Sequence, residues 1–228
     1  MGEFFQLSDL TAIAPELALA LFGLVVLIFD LILPDKRKLG AIALVGLGVS
    51  AVLLFRNSDL GSVTAYGGQV VVDPLAAYFK LMFLIAAGLT IGLSVRYLDV
   101  EGEQHGEYYA LLLFAVMGMM FMSGGNDLVT LYIGLETMAI ATYILVGFLR
   151  GNQRSNEASV KYFLLGAFSS GILLYGMSLL YGISGSTNMT EIADALTRRE
   201  LTDPISLVAM ITVSASLFFK ISAVPFHQ

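Results

Sequence analysis

Residues 128–149 read LVTLYIGLETMAIATYILVGFL, a stretch in which Glu136 is the single charge. A helix needs about 20 mainly apolar residues to cross the ~30 Å hydrocarbon core of a bilayer, and this run supplies them. Composition agrees. Hydrophobic residues fill 57% of the 228 positions and charged residues 13%, and mean hydropathy is +0.82. Soluble domains sit near half apolar and about a quarter charged, so the solvent for most of this chain is lipid.

Working outward, similar apolar stretches recur, separated by polar or glycine-rich punctuation. Before residue 128 lies the tight turn Ser123-Gly124-Gly125-Asn126-Asp127, preceded by a stretch from about Tyr108 to Met122. Further back come stretches from about Pro15 to Leu33, Leu39 to Phe55 and Leu75 to Tyr97, with Gln69-Val70-Val71-Val72 as a short extended piece outside the bilayer. After residue 149, the polar loop from Arg150 to Glu157 leads to a stretch from about Val160 to Ile183. A partly amphipathic segment from Asn188 to Asp203 reads as a short surface helix, and a last apolar stretch opens at Pro204, a favoured first helical position. The expected fold is an all-α membrane protein, a polytopic bundle of about seven transmembrane helices.

Alternate loops then lie on opposite sides. One set carries Lys36, Arg37, Lys38, Arg96, Arg150 and Arg154; the other carries Arg56, Arg198 and Arg199. Basic loops stay on the cytoplasmic side, which predicts an N-terminus on the outer, periplasmic face. The first ten residues contain Glu3 and Asp9 and no Lys or Arg, which does not fit a cleavable signal peptide; the N-terminus is expected to be retained.

The chain has no cysteine, which rules out disulfides, thiolate zinc sites and iron–sulfur ligation by this sequence. His105 and His227 stand far apart and give no basis for a dedicated metal site. The net charge of -6 argues against nucleic acid as a partner.

Charges within the spans carry the chemistry. An ionised side chain at the bilayer centre costs about 2.5–3.5 kcal/mol on insertion scales, so such groups face a bundle interior, pair, or line a hydrated path. Glu16 and Lys80 lie near outer span ends and Asp30 near an inner end, positions that suit snorkelling or interface anchoring. Glu136 is about 12 Å into its span. Lys220, in Ser216-Leu217-Phe218-Phe219-Lys220-Ile221-Ser222, lies well into the last stretch, a position that fits either membrane depth or the inner surface, since little sequence follows Pro225. Pro225 follows, and it tends to break a helix; irregular backbone at membrane depth is tolerated only inside protein or beside water. For Lys161, snorkelling and relay duty both fit its position, and His227 reads equally as a satisfied core histidine or a relay group. Gly166, Ser170, Gly171 and Gly176 suit close helix packing, Met117 to Met122 reads as packing filler, and Arg198-Arg199 as a solvated face.

Burial makes a lysine's charge costly and an adjacent carboxylate restores it. A lysine whose carboxylate partner approaches and withdraws can therefore take up and release a proton, which arginine cannot do because it stays charged. Glu136 is read as the modulating partner and Lys220 as the carrier, with Lys161 and His227 as neighbours on a hydrated path.

At these residues the sequence resembles a known family. Gly134-Leu135-Glu136-Thr137, Tyr143-Ile144-Leu145-Val146-Gly147 and the block from Ser155 to Gly171 are similar to subunit N of bacterial NADH–quinone oxidoreductase, respiratory complex I, more than to its sister subunits L and M. Phe219-Lys220-Ile221-Ser222-Ala223-Val224-Pro225-Phe226-His227 resembles that family's broken seventh helix. The resemblance covers essentially the whole chain. It implies about fourteen transmembrane helices with inverted repeats in a full-length member, so that this chain is expected to be a fragment that could not pump by itself. Residues 1–106 would hold helices one to three, and residues 107–228 the start of the first antiporter-like repeat, cut within helix seven. It also implies a proton channel built on Glu136, Lys220, Lys161 and His227, in a bacterial inner-membrane complex with other antiporter-like subunits as partners. No cofactor is expected here: NADH, flavin, iron–sulfur clusters and quinone belong to other subunits. Two other readings stand beside it. One is a subunit of a multi-subunit sodium/proton antiporter or membrane-bound hydrogenase; the other is a non-transporting seven-helix receptor or scaffold.

Overall fold

The computed structural model describes residues 7–58, 61–200 and 203–224. Within them the order is α1 (Leu7–Ala12), α2 (Ala14–Ile32), α3 (Arg37–Ser58), β1 (Val63–Ala65), β2 (Val70–Val72), α4 (Pro74–Glu101), α5 (Gly106–Gly124), α6 (Leu128–Val146), α7 (Gln153–Ser184), α8 (Met189–Thr197) and α9 (Pro204–Lys220). Six helices, α2 to α7, are long and apolar enough to cross a membrane; α9 is apolar but shorter. The expected seven spans are thus six full ones and a shorter helix that stops early. Pro225 and His227 lie outside the described residues, and the helix already ends at Lys220. Ser222 takes a left-handed conformation with φ 53°, while the Ser222 and Ala223 amides donate back to Phe219 and Phe218 carbonyls at 3.0 and 2.9 Å. That turn closes off the last carbonyls as a helix C-cap does.

Side-chain caps define where the other helices begin. Asp73 accepts from the Ala76 amide at 2.6 Å, and Asp127 accepts from Val129 and Thr130 at 2.8 and 3.3 Å. Asn152, Asn188 and Asp203 cap α7, α8 and α9 in the same way; each satisfies amide donors the helix itself cannot. The Asn152 cap corrects one reading. Residues 153–157, expected in a loop, are the first turns of α7, polar because they carry the helix beyond its apolar stretch.

The core lies around α5, which packs on α2, α3, α4 and α6. Tyr109, Leu113 and Met120 are fully enclosed there with Leu19, Leu39 and Ile91. A second, smaller cluster joins Leu128, Leu180, Ile192 and Ala209 from α6, α7, α8 and α9. Large apolar side chains such as Leu31, Leu93 and Phe168 point outward, an apolar exterior that water would not tolerate and lipid accepts.

Two polar ends frame the bundle. At one end β1 and β2 form an antiparallel hairpin with Val63 opposite Val72. The Asn126 amide donates to the Gln69 carbonyl at 2.9 Å, the Leu128 amide to Thr187 at 2.8 Å, and the Thr187 hydroxyl to Asp127. Hairpin, α5–α6 turn and α7–α8 turn are thereby fastened together. At the other end Arg37 pairs with Asp99 at 2.8 Å and Arg150 with Glu107 at 3.1 Å, while Lys36 pairs with Asp30.

Candidate functional site

The position of Glu136 is set by glycine. On α6, Gly134 faces Gly118 of α5 so closely that a Cβ on Gly118 would sit 2.5 Å from the Gly134 carbonyl oxygen, and the reverse substitution meets the same obstacle at 2.8 Å. Only backbones without side chains approach this way. Two residues further along, the Glu136 side chain emerges half-buried towards α7, where Ser170 donates its hydroxyl to Oε1. Two helical turns beyond, the same face of α6 presents Tyr143.

Lys220 arrives from α9, which lies against α7. Its Nζ stands 3.7 Å from Glu136 Oε1, with side-chain exposures of 9% and 21%. It donates to the Tyr143 hydroxyl at 3.0 Å and lies 5.6 Å from the centre of that ring. A mainly apolar cleft of about 870 Å³, lined among others by Tyr162, Phe168, Phe219, Lys161 and Lys220, opens beside the amine. The carboxylate, amine and two hydroxyls therefore form one polar group, of which Lys220 borders the cleft, with chemistry suited to exchanging a proton: an acid and a base, each held by a hydroxyl.

The structure brings together Glu136 and Lys220 as the sequence reading expected. Lys161 borders the same cleft but turns outward, 69% exposed, and pairs with Glu157 one turn earlier at 2.5 Å. His227 lies outside the described residues.

Sequence reading missed Tyr143 and Ser170 as site residues. Tyr143 follows Glu136 by seven positions, a spacing that places both on one helical face; that signal was present. Ser170 was read as packing only, and the correction follows from where α7 lies: its small face looks onto Glu136. Gly166 and Gly176 of that face do pack closely, against Tyr143 and against Thr212 and Val213, while Gly171 faces open space.

A second correction concerns Glu16 and Lys80, expected to snorkel. They face inward and pair at 2.6 Å, with side-chain exposures of 1% and 3%. Depth along a helix does not reveal which face a residue occupies, and α2 and α4 turn these two towards the end of α5, where a Cβ on Gly124 would come within 3.4 Å of the amine. Asp30 pairs with Lys36 near its helix end. Among the described residues no group of three or more His, Cys, Asp or Glu side chains could hold a metal ion.

The described residues thus form a polytopic helical bundle in which a shorter helix brings a lysine to a carboxylate of a full-length apolar helix. A family model described as NADH:quinone oxidoreductase/Mrp antiporter, TM, matches residues 125–228. The chain is 48% identical over 235 residues to NADH-quinone oxidoreductase subunit N 1 of Koribacter versatilis, covering 97% of this chain and 46% of that one. It is also 48% identical to subunit N 2 of Solibacter usitatus, over 99% of this chain and 48% of the relative. Among solved structures, a chain of respiratory complex I from Thermus thermophilus with bound aureothin superposes with a TM-score of 0.76 at 28% identity, covering 93% of this chain and 45% of that one. The chain belongs to the subunit N family of NADH–quinone oxidoreductase. It spans about half the length of the curated relatives it matches.

Proposed function

We propose that this chain forms part of a proton-translocating subunit of a bacterial NADH–quinone oxidoreductase, in which Glu136 modulates and Lys220 carries the proton. The observation that supports this reading most is the pair itself. A lysine amine stands 3.7 Å from a carboxylate beside a cavity, although burying both charges costs several kcal/mol per ion unless each finds partners. Lys161, on the same cleft, and His227 are assigned to the path beyond it. Residues 107–228 are assigned to an antiporter-like repeat and residues 1–106 to the preceding helices. NADH, flavin, iron–sulfur clusters and quinone are assigned to other subunits, and neighbouring antiporter-like subunits are the partners. The complex is assigned to the inner membrane, with the N-terminus on the periplasmic face, on the strength of the six basic residues in one set of loops against three in the other.

The test is Lys220→Arg in the full-length subunit, within the assembled complex in sealed membrane vesicles. Arginine keeps the charge and does not release its proton. NADH-driven proton translocation per assembled complex is expected to fall by about tenfold or more, since proton transfer by a positioned group contributes about 10²–10⁴-fold. Unchanged translocation in that variant overturns the assignment.

A further inference from the structure

The enclosed Glu16–Lys80 pair and the half-buried Glu136–Lys220 pair differ in how closely they approach. Glu16 and Lys80 close to 2.6 Å, whereas Glu136 and Lys220 stand at 3.7 Å. Opposite charges away from water attract strongly, so the wider pair must be held by other contacts. Those contacts are two hydroxyls: Ser170 on the carboxylate and Tyr143 on the amine, the latter at 3.0 Å and nearer than the carboxylate.

Tyr143 has little freedom to be anywhere else. Its ring meets Tyr162 edge-on at 4.7 Å and Phe163 at 5.9 Å. Its hydroxyl end fits the hole left by Gly166, where a Cβ would lie 2.0 Å from Oη. The Ser159 hydroxyl donates to its carbonyl oxygen at 2.8 Å. A tyrosine fixed at ring, hydroxyl end and backbone delivers its oxygen to one place, and Lys220 Nζ lies within hydrogen-bond distance of it.

We propose that Tyr143 is a positioning residue that holds the Lys220 amine off Glu136, so that the pair rests open between two acceptors on one helix. The inference builds on the proton-carrying role proposed for Lys220. An ammonium donating to a neutral hydroxyl at one moment and to a carboxylate at the next changes how firmly its proton is held without leaving its cavity. Removing the hydroxyl leaves the carboxylate as the remaining strong acceptor on α6, and the pair closes as Glu16–Lys80 does.

Tyr143→Phe keeps the ring and deletes the oxygen. In the assembled complex it is expected to lower NADH-driven proton translocation about tenfold, the scale of one hydrogen bond to a charged group, with the amount of assembled complex unchanged. Glu136→Asp withdraws the carboxylate by one methylene. In the Tyr143→Phe background it reopens the pair, and translocation is expected to rise several-fold above Tyr143→Phe alone. A residue that served packing only would show no such rescue. The proposal is overturned if Tyr143→Phe translocates protons as the unaltered complex does, or if the double variant is no better than Tyr143→Phe. Should Lys220→Arg abolish translocation while Tyr143→Phe leaves it intact, the positioning role falls and the carrier role stands; should Lys220→Arg translocate normally, both fall.

Discussion

Lys80 and Glu16 show what a single buried pair does when no hydroxyl intervenes. The contact is closed, and one carboxylate oxygen of Glu16 has no hydrogen-bond partner among the described residues, so the glutamate depends on its lysine. Removing one partner of such a pair leaves an uncompensated charge and costs about 3–5 kcal/mol, whereas replacing both by apolar groups is often neutral. Lys80→Met is expected to destabilise the purified full-length subunit by about that amount in thermal unfolding, and Glu16→Leu combined with Lys80→Met to recover most of it. At this scale the sequence was legible where depth alone decides, as for Glu136 and Lys220, far inside apolar runs. Depth misled where orientation decides, as for Lys80, and partners contributed by another helix, such as Ser170, carried no signal in the local sequence.

Elements are set by their ends and their glycines. Caps by Asp and Asn explain why α4, α6, α7 and α9 start where they do, and an apolar window alone placed the start of α7 too late because the first turns are polar. The cap of α9 has a pH signature. Hydrogen bonds from the Ser206 hydroxyl, from Arg199 and from the Ser206 amide hold the Asp203 carboxyl below the usual carboxylate range. A group lowered on folding stabilises the fold above its ordinary value, about 3.9, and loses that contribution as pH falls through the lower folded value. Amide hydrogen exchange in the first turn of α9 is therefore expected to speed up below about pH 4 and to stay pH-insensitive in this respect after Asp203→Asn, which still caps but does not titrate. Above pH 5 the unaltered protein should exchange more slowly than Asp203→Asn, and the two should converge as the pH falls below about 4.

The whole molecule has two chemically distinct ends. Their membership was legible from loop order, because each span reverses direction. Which helices touch was not: nothing in the apolar runs says that α5 is the centre or that α9 lies along α7, since lipid-facing and helix-facing apolar residues look alike in composition. Sidedness can be measured directly because the chain has no native cysteine. Arg154→Cys and Arg198→Cys, introduced singly, are expected to react with a membrane-impermeant maleimide from opposite sides, Arg154→Cys from the cytoplasmic side. Labelling of both from one side would contradict the transmembrane path of α7.

The early stop of α9 has an electrostatic consequence. Aligned peptide groups give a helix a macrodipole worth about half a negative charge at its C-terminal end, and cations in the last turn feel it most. Lys220 is the basic residue of that last turn, so the helix that carries the ammonium also supplies a fixed, non-titrating counter-charge beneath it. Ending α9 at Lys220 gives the lysine a permanent field to work against, whatever Glu136 is doing at the time.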